Sequence, residues 1–309
     1  MGHGHHHHHH IDADTGDRRV GFAIAVNFLL TAAQIVGGLI SGSLALIADA
    51  LHNLSDAMSL VIAFAARRIA RRGADDKMTF GYGRIEVVAA LINYTTLILL
   101  GLYLGYEAIL RFIDPQPVDG WLVLIIAGLA LVVDLATAAL TWALSKQSVN
   151  IRAAFLHNLA DALGSVAVIV AGTLIILYDW RLIDPAITLL IAGYILYMSF
   201  AEIGGVIRIL MLGTPPGLDP QQVMSAVETV PGVAEVHHVH LWQMGEHRHS
   251  FDAHLRIAEG QWDNADAVKA QVKALLADRF GVTHSTLEME CARHGCTDAR
   301  RLGHETARG

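Results

Sequence analysis

The chain has 309 residues, 53% of them hydrophobic and only 17% charged, with a formal net charge of -7 and a mean hydropathy of +0.43. A soluble domain carries roughly 25% charged residues, so the composition excludes an ordinary soluble globule and points to a bilayer. The acidic balance lies mostly beyond residue 213 and argues against a nucleic-acid partner. The two cysteines, Cys291 and Cys296, both lie near the C-terminus and give no support to a secreted disulfide framework.

The chain opens on MGHGHHHHHH. This run reads either as an affinity tag or as a native His-rich arm that binds metal; Gly4 interrupts it and no protease site follows, which favours the native reading. No cleavable signal peptide is evident, because Asp17, Arg18 and Arg19 precede the first apolar block and no cleavage pattern follows it.

A membrane-crossing helix needs about 20 mostly apolar residues. Six segments qualify, near 20–41, 43–66, 85–111, 120–145, 151–178 and 182–211. Arg18 and Arg19 precede the first; Arg67, Arg68, Arg71, Arg72, Lys77 and Arg84 follow the second; Lys146 and Arg152 follow the fourth. The opposite connections offer only Arg111 and Arg181, so the excess of positive charge predicts that both termini are cytoplasmic.

Beyond Pro215-Pro216-Gly217 the pattern becomes that of a soluble domain. A short helix is expected over 219–230, with Val223, Ala226, Val227 and Val230 on one face. Strands are expected over 233–243 and 249–258, joined through Gly245-Glu246. An amphipathic helix follows over 264–279 and a last strand over 284–291. The order αββαβ suggests a small α+β, ferredoxin-like domain. The expected organisation is therefore an arm over 1–19, a six-helix transmembrane bundle over 20–212, an α+β domain over 213–292 and a tail over 293–309.

The hexapeptide His-Asn-Leu-(Ser/Ala)-Asp-Ala occurs at 52–57 and again at 157–162, each time inside an apolar span. Residues i and i+4 share a helix face, so each span presents an imidazole beside a carboxylate: His52 with Asp56, and His157 with Asp161. Two such faces turned together supply two nitrogen and two oxygen ligands, enough to close a tetrahedron around Zn²⁺. The competing reading makes these pairs mere packing devices. An Asp at mid-membrane costs about 2.5–3.5 kcal/mol even on the lenient scale, and ionisable groups there usually mark an ion or proton path. Asp49, three residues before His52, reads equally as a partner for an imidazole N–H or as a carboxylate lining the cytoplasmic approach. For Asn27, Gln34 and Asp134 helix–helix hydrogen bonding is the default.

In the C-terminal domain histidines crowd the hairpin: His237, His238, His240, His247, His249 and His254, followed by His284, Glu288 and Glu290 on the last strand. This density of nitrogen and oxygen donors suggests a second metal site, although the open face of a sheet is polar in any case. Cys291 and Cys296 can also bind metal with an N-terminal histidine, although a lone C-x₄-C spacing is a weak signal.

These residues resemble the cation diffusion facilitator family, its zinc-type members in particular. The resemblance runs over nearly the whole chain: six spans, the doubled His-x-x-x-Asp motif, Phe80-Gly81-Tyr82-Gly83-Arg84 before the third span, and Gly213-Thr214-Pro215 before the C-terminal domain. It implies a homodimer in the cell membrane, a transport site of His52, Asp56, His157 and Asp161, and exchange of Zn²⁺ for H⁺ by alternating access. It implies further zinc in the C-terminal domain, with His237, His240, His254, Glu288 and Glu290 as ligands and His284 as a neighbour. Two departures are visible. Where some members build another site after the second span, this chain has Asp75, Asp76, Met78 and Tyr82; and Leu212 stands where an acidic residue often ends the last span.

Zinc is expected as cargo, with Cd²⁺ and Co²⁺ admissible in the same ligand set; Mn²⁺ and Mg²⁺ favour oxygen-rich octahedra. No nucleotide-binding loop is visible, so downhill proton movement is the expected driving force. An intramembrane metalloprotease would need a general base beside two histidines, yet the only His-Glu is His304-Glu305, with no histidine after it. A membrane metal sensor without flux is the remaining alternative.

Overall fold

The computed structural model describes residues 28–145, 149–245, 248–291, 293–296 and 300–303. The arm 1–19, the start of the first span through Asn27, residues 146–148, Glu246, His247, residues 292 and 297–299, and the final residues 304–309 lie outside them. Two compact units emerge, one of residues 1–62 and 93–201, the other of 63–92 and 202–309.

The first unit is helical. Its elements are α1 (Phe28–Ser41), α2 (Leu44–Ala70), α3 (Ile85–Ile113), α4 (Gly120–Ser145), α5 (Val149–Tyr178) and α6 (Ile183–Leu210), of which α2, α3 and α6 run on into the second unit. Among the described residues five helices are long and apolar enough to cross a membrane; α1 is shorter because the expected span begins at 20 and the described residues at 28. The core is built of Leu44, Leu46, Leu97, Leu104, Val123, Val168 and Ile195, interleaved with alanines. Outward faces carry large apolar side chains in the open, such as Leu99, Leu163 and Leu190, as a helix facing hydrocarbon requires. Small residues set the closest crossings. A Cβ at Gly120 would stand 2.8 Å from the Gly172 carbonyl oxygen, so glycine at both positions lets α4 and α5 touch backbone to backbone.

The start of α2 is held from far along the chain. Asp184 of α6 accepts hydrogen bonds from Leu44 N at 2.8 Å and Ala45 N at 3.3 Å, and from Ser43 Oγ; Ser43 Oγ in turn accepts from Leu46 N. These amides are the free donors that every helix leaves at its N-terminus.

The second unit contains α7 (Pro220–Glu228), β1 (Val233–Gly245), β2 (Arg248–Ile257), a 3₁₀ turn (Trp262–Asn264), α8 (Ala265–Phe280) and β3 (Val282–Glu290). This is the ferredoxin-like αββαβ order expected. Asp219 caps α7 by accepting from Gln221 N, with Pro220 in the first turn, where its missing N–H costs nothing. Gly281, at φ 65°, ends α8 in the left-handed conformation and lets β3 begin two residues before the expected start. The sheet order is β1-β2-β3, antiparallel between β1 and β2 and parallel between β2 and β3. Val223, Val227, Phe251, Leu255, Val272 and Leu276 fill the core between helices and sheet. Between His237 and His240 the β1/β2 register shifts, and His238 adopts φ 51° at the bulge.

Candidate metal sites

Two clusters of metal-ligating side chains stand out, one in each unit. In the helical unit, His52 and Asp56 lie one turn apart on α2 and Asp161 faces them from α5. One atom of each lies within 4.8 Å of the others; His52 Nε2 is 3.7 Å from Asp56 Oδ2 and 3.7 Å from Asp161 Oδ1. Those separations are too long for hydrogen bonds. They are close to the roughly 3.3 Å that ligand atoms keep around a tetrahedral ion bound at about 2.0–2.1 Å. The ring of Tyr194 closes one side, edge-on to the imidazole at 6.2 Å between centroids. The backbone of His157 lies on α5 one turn before Asp161, while its side chain falls outside the described residues.

Asp49 stands one turn before His52 and is 3% exposed. Gln34 Nε2 of α1 donates to its Oδ2 at 2.8 Å, and Asn53 Nδ2 reaches Gln34 Oε1 at 3.5 Å. Gly164 of α5 leaves room for this carboxylate, since a Cβ there would lie 3.0 Å from Asp49 Oδ1. Ser165 Oγ donates to Asp134 Oδ2 at 3.0 Å, joining α5 to α4. Gln34 and Asp134 thus make interhelical hydrogen bonds, the role expected of isolated polar residues in a span.

The second cluster is formed by His237 of β1, His254 of β2, Glu290 at the end of β3 and Cys296 beyond it. His237 and His254 are directly paired in the ladder, and Glu290 lies opposite Arg256 on the far side of β2. Glu290 Oε2 is 3.2 Å from His237 Nε2 and Oε1 is 2.7 Å from His254 Nδ1. His237 is fully buried, yet neither ring nitrogen makes a hydrogen bond among the described residues. Buried polar groups are nearly always satisfied, so this imidazole is one that could serve as a metal ligand. Burial holds the His237 imidazole below its ordinary range, in the neutral form a metal needs. Burial alone would raise the Glu290 carboxyl; hydrogen bonds from Cys296 and His254 more than offset it and hold the group at about 2. The same contact with Glu290 pushes the Cys296 thiol up.

The other candidates are distributed around this cluster. Glu288 Oε2 lies 3.3 Å from His254 Nε2, on the side of the ring away from Glu290. With a metal ion in place of the Nδ1 proton, a carboxylate there would accept from Nε2–H and hold the ring in place. His240 is exposed opposite Asp252. His284 packs edge-on against Phe80 at 5.9 Å. Cys291 lies against His294, with Sγ 3.4 Å from Nδ1. None of these three belongs to a ligand group among the described residues. Asp75 serves a turn, accepting from Lys77 N, Met78 N and the Tyr82 hydroxyl, whose hydrogen bond lowers its pKa.

Two family models match most of the chain. The family model "Cation efflux transmembrane domain" matches residues 20–211 and "Cation efflux protein, cytoplasmic domain" matches 215–292. The chain is 38% identical to the zinc transporter ZitB of Pectobacterium atrosepticum over 284 residues, 90% of this chain and 85% of that one. It is 36% identical to a cadmium, cobalt and zinc/H⁺-K⁺ antiporter of Bacillus velezensis, over 84% of each chain. It is 34% identical to the metal cation efflux system protein CzcD of Cupriavidus metallidurans, over 89% of this chain and 87% of that one. The metal-bound C-terminal domain of the CzcD transporter aligns at 27% identity over 24% of this chain and 99% of that one; its TM-score is 0.22, too low to compare the two folds.

Proposed function

This chain belongs to the cation efflux family of multi-pass membrane proteins that export divalent metal cations, and from that membership we propose that it exchanges cytoplasmic Zn²⁺ for protons. The observation that carries the reading is the meeting of His52, Asp56 and Asp161 across α2 and α5. His157, one turn before Asp161, completes a His₂Asp₂ site. Relatives named for zinc, cadmium and cobalt support this cargo class, which a tetrahedral nitrogen and oxygen set suits.

The mechanism follows from the ligands. Neutral imidazole and ionised carboxylate bind the ion, so protons compete with it for the same atoms. Zinc enters from the cytoplasmic side, the helices rock, and protons arriving from outside displace the ion and return inward down their gradient. Asp49, held by Gln34, lies one turn from His52 toward the start of α2. That is the outer end of the helix when both termini are cytoplasmic, so Asp49 lines the side from which protons arrive. The protein works as a homodimer in the cell membrane with both termini cytoplasmic. An arm (1–19), a transmembrane domain (20–212), a C-terminal domain (213–292) and a tail (293–309) divide the chain. The C-terminal domain holds a further metal ion through His237, His254 and Glu290; Glu288 supports His254, and His240 and His284 lie at the periphery.

The test is zinc uptake into proteoliposomes that hold a pH gradient. Gradient-dependent flux that disappears in Asp161→Ala supports exchange at this site. Normal flux in the variant refutes the site, and zinc binding without flux in the natural protein returns the chain to the sensor reading.

A further inference from the structure

The chain just past β3 turns back on the sheet and is pinned there. Cys296 N donates to Glu290 Oε2 at 3.1 Å, and Arg256 Nη2 donates to Cys296 O at 3.3 Å. Gly295 makes the approach possible: a Cβ at that position would stand 2.9 Å from Glu290 Oε2 and 3.3 Å from Arg256 Nε. The result is that Cys296 Sγ sits 3.6 Å from His254 Nδ1 and 3.1 Å from Glu290 Oε1, beside a fully buried His237 whose nitrogens make no hydrogen bond among the described residues. Around a tetrahedral zinc ion, with Zn–S about 2.3 Å and Zn–N about 2.0 Å, sulfur and nitrogen stand roughly 3.5 Å apart. Cys291, five residues earlier, is turned instead to His294.

We propose that Cys296 is the fourth ligand of the metal ion held by His237, His254 and Glu290, closing an N₂OS site that takes Zn²⁺ or another thiophilic divalent cation. This rests on the reading that the C-terminal domain binds metal, and adds its ligand chemistry. The transport site offers nitrogen and oxygen only; this one adds a thiolate, which selects softer ions and excludes Mg²⁺ and Mn²⁺. On binding, the Cys296 S–H bond breaks, the sulfur lone pair bonds the metal and the proton leaves to solvent. The thiolate adds a further tie between Cys296 and the sheet, beside the hydrogen bonds from Cys296 N and Arg256.

The test uses Co²⁺ as a probe on the purified full-length protein. Cobalt bound through thiolate shows a sulfur-to-metal charge-transfer band in the near ultraviolet, whereas cobalt on the histidine-rich arm or at the transport site does not. The natural protein, Cys291→Ser and Asp161→Ala are expected to show the band, and Cys296→Ser to lack it. Because Asp161→Ala keeps the band, the result is independent of whether the transport reading stands. A second measurement needs no variant. Zinc should slow iodoacetamide labelling of Cys296 roughly tenfold or more, with labelling restored by EDTA and Cys291 little affected. A natural protein without the band, a band that survives in Cys296→Ser, or labelling of Cys296 indifferent to zinc overturns the assignment.

Discussion

Asp184 accepts the Leu44 amide hydrogen at 2.8 Å, so the sixth helix caps the second across 140 residues of sequence. The carboxylate is 1% exposed, is shared with Ala45 N and Ser43 Oγ, and has Arg111 Nη1 at 3.8 Å from Oδ2. His52 lies about two turns further along α2, so the cap fixes where α2, with its proposed zinc ligands, starts. Asp184→Ala leaves several buried donors without their acceptor and removes one of the two carboxylates beside Arg111, the other being Glu107. We expect a loss of about 2 kcal/mol or more. Zinc uptake should fall with it although no proposed ligand has been touched. Thermal unfolding in detergent, followed beside proteoliposome flux, checks both; an unchanged melting temperature refutes the capping role.

Gln34 is fully buried on α1 and donates to Asp49 on α2. Gln34→Leu keeps the volume and removes the donor, leaving a buried carboxyl short of a partner at a cost of about 1–3 kcal/mol. Gln34→Glu replaces the donated amide hydrogen with a second carboxyl and is tolerated only when one of the two carries a proton. Zinc uptake should therefore fall in Gln34→Leu at every pH, whereas Gln34→Glu should recover activity as the pH falls from 8 to 6. Parallel pH profiles for the two variants would refute a hydrogen-bonding role for this pair.

The metal-free C-terminal domain should weaken on acidification in two stages. His237 has a folded pKa below its ordinary 6.5, so the unfolded chain binds the proton first and stability is lost as the pH falls below about 6.5. Glu290 has a folded pKa of about 2 against an ordinary 4.5, so its contribution is present above 4.5 and is lost between there and 2. Both effects have the same sign. Hydrogen exchange of β1 and β3 amides in EDTA, measured from pH 7.5 down to 3, should show protection level above about pH 6.5, falling below it, and falling further below about 4.5. His237→Asn should flatten the upper part of that curve.

The helices and the α+β order were legible because apolar length and periodicity encode them directly, and the doubled His-x-x-x-Asp motif marks one helix face through i and i+4 alone. What was not legible depends on long-range approach. Nothing local says that Asp184 caps α2, since donor and acceptor are 140 residues apart in sequence. On β3, strict alternation puts Glu290 with exposed Thr286 and Glu288, yet Glu290 is 6% exposed. The difference arises because the turn at Gly295 covers it, and a glycine's role in such a contact appears only with the partner in place. The same turn separates Cys296 from Cys291, which the sequence offers as equals. The bulge at His238 likewise interrupts the period-two pattern that would make every hairpin histidine alike.

The connection between α2 and α3 meets β1 through Arg84, and this contact should matter for transport. Arg84 Nε donates to the Met244 carbonyl at 3.3 Å and its guanidinium lies 5.3 Å from the centre of the Trp242 ring, while Phe80 meets the same ring edge-on at 6.1 Å. Trp242 Nε1 donates to Asp252 Oδ2 at 3.2 Å, two residues before His254 on β2. Arg84 immediately precedes α3 and lies 14 residues beyond the end of α2 at Ala70, so a shift of this segment is passed covalently to both helices. Arg84→Ala removes one hydrogen bond and one cation–π contact, about 1–2 kcal/mol together. In a chain whose other tryptophans, Trp121, Trp142, Trp180 and Trp262, are replaced by Phe, Trp242 emission should shift to the red in Arg84→Ala and further in Phe80→Ala with Arg84→Ala. Zinc binding at equilibrium should be unchanged while the uptake rate falls several-fold. Unaltered emission would mean that the clasp is not formed, and altered emission with normal uptake would mean that it is formed but does not limit transport.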